Sequence, residues 1–215
     1  MEREAFLGRL EARLAAAEKP ATAHPPKAPS GTVPRPEFAH DERSLQIRFG
    51  EALARVRGRL ATPEELPGIF EELEIRTVVV TDERLPLPEG VERLPLDRAR
   101  EADAGVTAAV AACAVTGTVV VAPSATETRM ASLLPRVHVV AVERDRLVET
   151  PGDVLRDLGR WFPEGLPSAF ALASGPSKSA DIDAEVTYGV HGPLDVVAVL
   201  IDQRGGGARQ ARRAT

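Results

Sequence analysis

Five short apolar runs constrain this chain more than any other feature: Thr77–Val80, Thr118–Ala122, Val137–Val142, Phe170–Leu172 and Val196–Ile201. All five read as strands, and Thr77–Val80 and Thr118–Ala122 suit strands that are buried. Between them the apolar residues recur at three- and four-residue spacing, as on one helix face. Leu45, Phe49, Leu53 and Val56 form one such set, Leu66, Ile69, Phe70 and Leu73 a second, and Val154, Leu155, Leu158 and Trp161 a third. Strand alternating with helix predicts an α/β fold with a mostly parallel sheet covered on both faces. No internal repeat is present.

Local signals refine the pattern. Thr62-Pro63-Glu64-Glu65 and Thr150-Pro151-Gly152-Asp153 read as helix starts, with threonine as N-cap and proline at the first helical position. Pro67-Gly68 is expected to kink or restart the helix that contains it. Val106–Cys113 is expected as a small-residue helix packed close to the sheet. Thr126 is expected to cap a short helix through Leu134, and a short strand is expected near Val91.

The ends differ from the body. Residues 1–17 read as an amphipathic arm, with Phe6, Leu7, Leu10 and Leu14 on one face. Residues 18–40 read as a linker, because six prolines between Pro20 and Pro36 deny it regular backbone hydrogen bonds. The body is expected over 41–203, and 204–215 reads as a glycine- and arginine-rich disordered tail. The arm's apolar face needs cover from the body, from a second copy by self-association, or from a different protein.

Composition removes several functions. Lys and Arg total 27 against 32 Asp and Glu, a net charge of −5, so excess cations for nucleic acid are lacking. The single cysteine, Cys113, excludes an internal disulfide, a four-cysteine zinc site, and a cluster held by this chain's thiols alone. The four histidines show no ligand spacing, so no dedicated metal site is expected. The charged start Met1-Glu2-Arg3-Glu4 lacks an apolar signal core. The 23 uncharged residues from Ala104 to Thr126 hold no Leu, Ile or Phe, so no membrane span is expected. These features suit the cytoplasm.

Three segments bear on chemistry. In Ser174-Gly175-Pro176-Ser177-Lys178-Ser179 a strand runs into a polar loop followed by an expected helix start. Free amides, the hydroxyls of Ser174, Ser177 and Ser179, and the Lys178 ammonium would together favour an anion. The same residues also suit an ordinary strand-to-helix turn. Gly189-Val190-His191-Gly192-Pro193 brackets a candidate acid/base or ligand donor, His191, with Gly192 beside it. Thr116-Gly117-Thr118 offers hydroxyls at the start of a strand, or simply a tight turn. Asp181 is a further catalytic candidate. Asp181 and Asp183, two apart, would not share a helix face. His138 and Cys113 read as structural core groups.

Several segments together resemble the LUD-domain family, most nearly its lactate-utilization protein C group. They are Asp103-Ala104-Gly105-Val106-Thr107, Ala114-Val115-Thr116-Gly117-Thr118, Ser132-Leu133-Leu134-Pro135 with Val137-His138, Ser174–Ile182 and Gly189–Pro193, within a span from Asp41 to Asp202. The resemblance implies a Rossmann-like three-layer α/β/α fold of the NagB/RpiA/CoA-transferase type. It also implies a role in oxidising L-lactate to pyruvate, beside two partner proteins that carry the iron–sulfur clusters. No cofactor is then expected on this chain itself. In one respect the sequence departs from the family, which usually has an acidic residue before Thr116-Gly117 where this chain has Val115. Related CoA transferases use a glutamate covalently, and valine offers neither nucleophile nor base. The expectation is therefore a cluster-free accessory component that binds a small anion. The alternative is an enzyme of the CoA-transferase or phosphosugar-isomerase type using Lys178, Asp181 and His191.

Overall fold

The structure is a computed structural model that describes residues 43–123, 129–180 and 186–202. The expected arm, linker and tail lie outside the described residues. Helix α1 (Leu45–Arg55) is capped by Ser44, whose Oγ accepts the Ile47 amide. It leads into β1 (Arg59–Ala61). A 3-10 turn at Pro63–Glu65 then passes into α2 (Leu66–Glu72). The Glu65 carboxylate accepts the Thr62 amide at 2.7 Å, and Pro67 sits in the first turn of α2, where a missing N–H costs nothing. Proline therefore restarts the helix there.

Strands β2 (Thr77–Val80), β3 (Glu92–Arg93), β4 (Ala104–Ala108), β5 (Ala111–Cys113) and β6 (Thr118–Val121) follow. Next come α3 (Arg129–Leu133), β7 (Val137–Glu143), β8 (Leu147–Val148), α4 (Pro151–Arg156) and α5 (Leu158–Trp161). Thr150 caps α4 and exchanges hydrogen bonds with Asp153 at 2.8 and 3.3 Å. The last elements are β9 (Ala171–Ala173), β10 (Lys178–Ala180), β11 (Val186–Tyr188) and β12 (Asp195–Ile201).

The central sheet has six parallel strands in the order β1-β12-β7-β4-β2-β3. A second sheet runs β8-β5-β6-β9, and β10 pairs with β11 as an antiparallel hairpin. The alternation of side chains divides the core. Val137, Val139 and Ala141 of β7 and Val197 and Val199 of β12 face Leu66, Ile69 and Phe70 of α2. Their neighbours Val140, Val142, Ala198 and Leu200 face the other way, against Phe49 and Leu53 of α1 and Val119 of the second sheet. Phe49 and Leu53 are fully buried, each worth about 1.5–3 kcal/mol. The fold is thus α/β with a largely parallel central sheet. Among the described residues no helix is long and apolar enough to cross a membrane.

Two expectations fail here. The set Val154, Leu155, Leu158 and Trp161 is divided between α4 and α5, with Leu155 exposed. Val106–Cys113 is not a helix but the end of β4, a bend and β5. The bend keeps its amides paired, Ala109 donating to the Ala141 carbonyl and Val110 to that of Val120. Burial on both faces overrides the helix propensity of the alanines. Of the expected helix at Thr126–Leu134, α3 forms at Arg129–Leu133, and Thr126 itself lies outside the described residues.

Candidate functional site

On the α1 and α3 side of the central sheet the packing is incomplete. A cavity of about 290 Å³ remains between β4, β7 and β12 below, α3 on one side, and β6 and β9 of the second sheet on another. Small residues create it. Gly105 admits α3 so closely that a Cβ there would lie 1.6 Å from the Ala131 carbonyl oxygen, and alanines fill out β9.

The buried end of the cavity holds Thr107 and His138, whose Oγ1 and Nε2 lie 2.8 Å apart. His138 is 2% exposed, and burial pushes its pKa down to about 4, so the ring is neutral near pH 7. The sequence reading of His138 as purely structural missed its place in this lining. It pairs with Gly105 on the adjacent strand, and its ring meets Thr107 at the cavity.

The open end is built from the two segments singled out in the sequence. After β9 the chain passes through Ser174-Gly175-Pro176-Ser177. Gly175 has φ +75°, and a Cβ there would lie 2.1 Å from the Val56 carbonyl oxygen, so only glycine lets the loop rest on the end of α1. The Ser177 amide donates to the Pro193 carbonyl at 2.9 Å, and the Gly189 amide donates to that of Ser177 at 2.9 Å. These bonds join the serine loop to the His191 loop. Ser174, Gly175, Ser177, His191 and Gly192 all line the cavity.

Other candidates stand elsewhere. Lys178 and Ser179 lie on β10, outside the lining, and Lys178 is exposed. Asp181 lies outside the described residues. Thr116, Gly117 and Thr118 do not line the cavity. Gly117, at φ +61°, turns the chain tightly against the Leu53 backbone. The two threonine hydroxyls are 2.6 Å apart, and that of Thr118 is 2.6 Å from the Ser174 hydroxyl, so the segment braces the serine loop from behind.

The expected helix start after the serine loop is corrected to the β10–β11 hairpin. No row of free helical amides forms, because the Ser177 amide is spent on Pro193 and β10 enters a ladder. The side chains that can favour an anion are instead hydroxyls and a cation that sequence reasoning missed, Arg129 at the start of α3. A helix through Leu134 was expected, but nothing in the sequence set Arg129 at the cavity. Among the described residues no carboxylate lines the cavity.

Neither Cys113 nor Val115 lines the cavity. Burial, with the negative charge of Asp153, pushes the Cys113 thiol up to about 12, which leaves it an unreactive core group. Val115 is outside the lining, and its amide donates to the Glu149 carbonyl. Among the described residues no cluster of three His, Cys, Asp or Glu is placed to hold a metal.

Comparison with known proteins follows the same outline. The sequence profile of the LUD domain matches residues 91–201. The chain is 36% identical over 115 residues to a lactate utilization protein C of Halalkalibacterium halodurans, covering 53% of this chain and 50% of that protein. It is 36% identical over 110 residues to a lactate utilization protein C of Shouchella clausii, covering 51% and 48%. The match thus spans about half the length of these curated relatives. In fold it is similar to a DUF162 family protein from Deinococcus radiodurans, with a TM-score of 0.52 at 22% identity, covering 73% of this chain and 95% of that one.

Proposed function

This chain belongs to the LUD-domain family, and on that premise we propose that it serves a lactate-utilization system as a component that holds a small anion in the cavity between its two sheets. The observation that carries the ligand half is the lining itself: Arg129, the His138 and His191 imidazoles, and several hydroxyls, with no carboxylate among the described residues. An anion entering there gains charge-assisted hydrogen bonds and meets no like charge. The pathway half draws on the relatives' names. In this reading the electrons of lactate oxidation pass through iron–sulfur partner proteins, because this chain offers a single, buried thiol.

Two experiments test the halves separately. A host strain lacking the gene is expected to lose growth on L-lactate as sole carbon source and to keep growth on pyruvate. Undiminished growth on lactate contradicts the pathway. Calorimetric titration of the full chain with lactate, pyruvate, longer monocarboxylates, phosphate and coenzyme A is expected to give binding of at least one. Arg129→Gln should weaken that binding by about 1.5–3 kcal/mol, the range for a hydrogen bond to a charged group. Lys178→Ala should leave it unchanged. Silence across the panel contradicts the ligand site.

A further inference from the structure

The cavity is graded from mouth to bottom, and the gradient bears on what kind of anion fits. Arg129, His191 and Ser174 are exposed and mark the mouth. Beside them the wall is apolar and buried, with Pro176, Pro193 and Val196. At the bottom are Thr107 and His138, 5% and 2% exposed, already hydrogen-bonded to each other. A charged group pushed to the bottom would leave water, lie against apolar Val196, the register partner of His138, and meet an uncharged ring, with no cation among the described residues there to repay its desolvation. Size points the same way. At about 290 Å³ the cavity lies near the lower end of the roughly 300–1,000 Å³ that encloses drug-sized molecules. A three-carbon acid held at the mouth would leave the apolar belt uncovered.

Resting on the reading that the cavity holds an anion, we infer that its ligand is an amphiphilic monoanion, with its charged head at the mouth beside Arg129 and its apolar body against the buried wall. Lactate and pyruvate are then too short to be its preferred occupants. Specificity comes from two independent sources: the guanidinium selects the charge, and the belt formed by Pro176, Pro193 and Val196 selects the tail.

The test is a chain-length series on the full-length protein, with Kd measured by calorimetry for butyrate, hexanoate and octanoate beside pyruvate and neutral octanamide. The expected result is a gain of about four-fold in affinity per added methylene, the value of burying one CH2. Octanamide should bind at least ten-fold more weakly than octanoate, and Arg129→Gln should remove that difference. Carboxylates that bind with no dependence on length overturn this inference and leave the anion site standing. Octanamide binding as tightly as octanoate also overturns it, because the head would then carry no recognition. No binding by any anion, phosphate and coenzyme A included, overturns this inference and the anion site together. Ala171→Phe, on an exposed edge position of the lining, gives a control that leaves the buried packing alone. It should weaken octanoate more than butyrate, and equal weakening of both counts against a tail in the cavity.

Discussion

At the scale of single residues, His138 links stability to pH. Its imidazole sits at the buried end of the cavity, bonded to Thr107, with a pKa of about 4 against an ordinary 6.5. Above pH 6.5 neither the folded nor the unfolded chain binds a proton there, and the group has no effect. As pH falls below 6.5 the unfolded chain takes up the proton and the folded chain does not, so stability drops until about pH 4 and then levels. Between pH 7 and 4.5 that loss comes to about 2–3 kcal/mol. Urea denaturation at the two pH values should show it in the wild type and show most of it gone in His138→Met. An equal loss in both proteins would assign the slope to other groups. The sequence made His138 legible as a buried strand residue and no more. Its place in the cavity depends on Thr107 of the adjacent strand and on the loops that line the space with it, relations that spacing along one strand does not reveal. Arg129 was illegible for a like reason: a helix start can be read locally, but the direction of a guanidinium depends on what lies opposite.

At the scale of elements, the long parallel strands and the capped helices were readable because burial on both faces and capping chemistry are local signals. Thr77–Val80 forms as expected, β7 and β12 extend the expected runs by one residue, and Thr150 caps its helix. Two of the errors share one cause. Val106–Cys113 and Lys178–Ala180 are short and have no period of their own, so tertiary partners decide them. The D-A-G-V-T segment shows how such a partner acts. Asp103 accepts the Arg76 and Thr77 amides, each at 2.9 Å, and the Thr77 hydroxyl at 3.0 Å, which pins the start of β4 to that of β2. Burial alone would raise the Asp103 pKa, but these donors and Arg136 hold it below the usual carboxylate range. Two residues on, Gly105 sets the distance to α3. Gly105→Ala places a methyl group 1.6 Å from the Ala131 carbonyl oxygen, so strand or helix must move. The expected cost is at or above the top of the roughly 1–3 kcal/mol range for overpacking. Chemical denaturation measures it, and a loss below about 1 kcal/mol would show that the α3 contact is loose.

At the scale of the whole molecule, two sheets of different strand order share one apolar layer, and the short elements beside the cavity leave it incompletely filled. Helix α3 has five residues and β9 three. The gap that remains is the candidate site, and it lies along the face of the central sheet. It is lined by the first residues of β7 and β12 as well as the end of β4. The sequence reading placed ligand chemistry beyond the carboxyl ends of the strands, where open α/β sheets commonly bind. The second sheet shifts that position, because β9 carries the serine loop back over the central sheet to meet the His191 loop. The function proposed for the molecule depends on an anion occupying that gap. The most direct measurement follows the His138 and His191 imidazole signals by nuclear magnetic resonance while octanoate is added to the full-length chain. The account predicts that both rings shift together and saturate with one ligand, and that Arg129→Gln moves the midpoint to at least ten-fold higher concentration. Rings that stay in place, or an exposed His191 that drifts without saturating while buried His138 is silent, would contradict it.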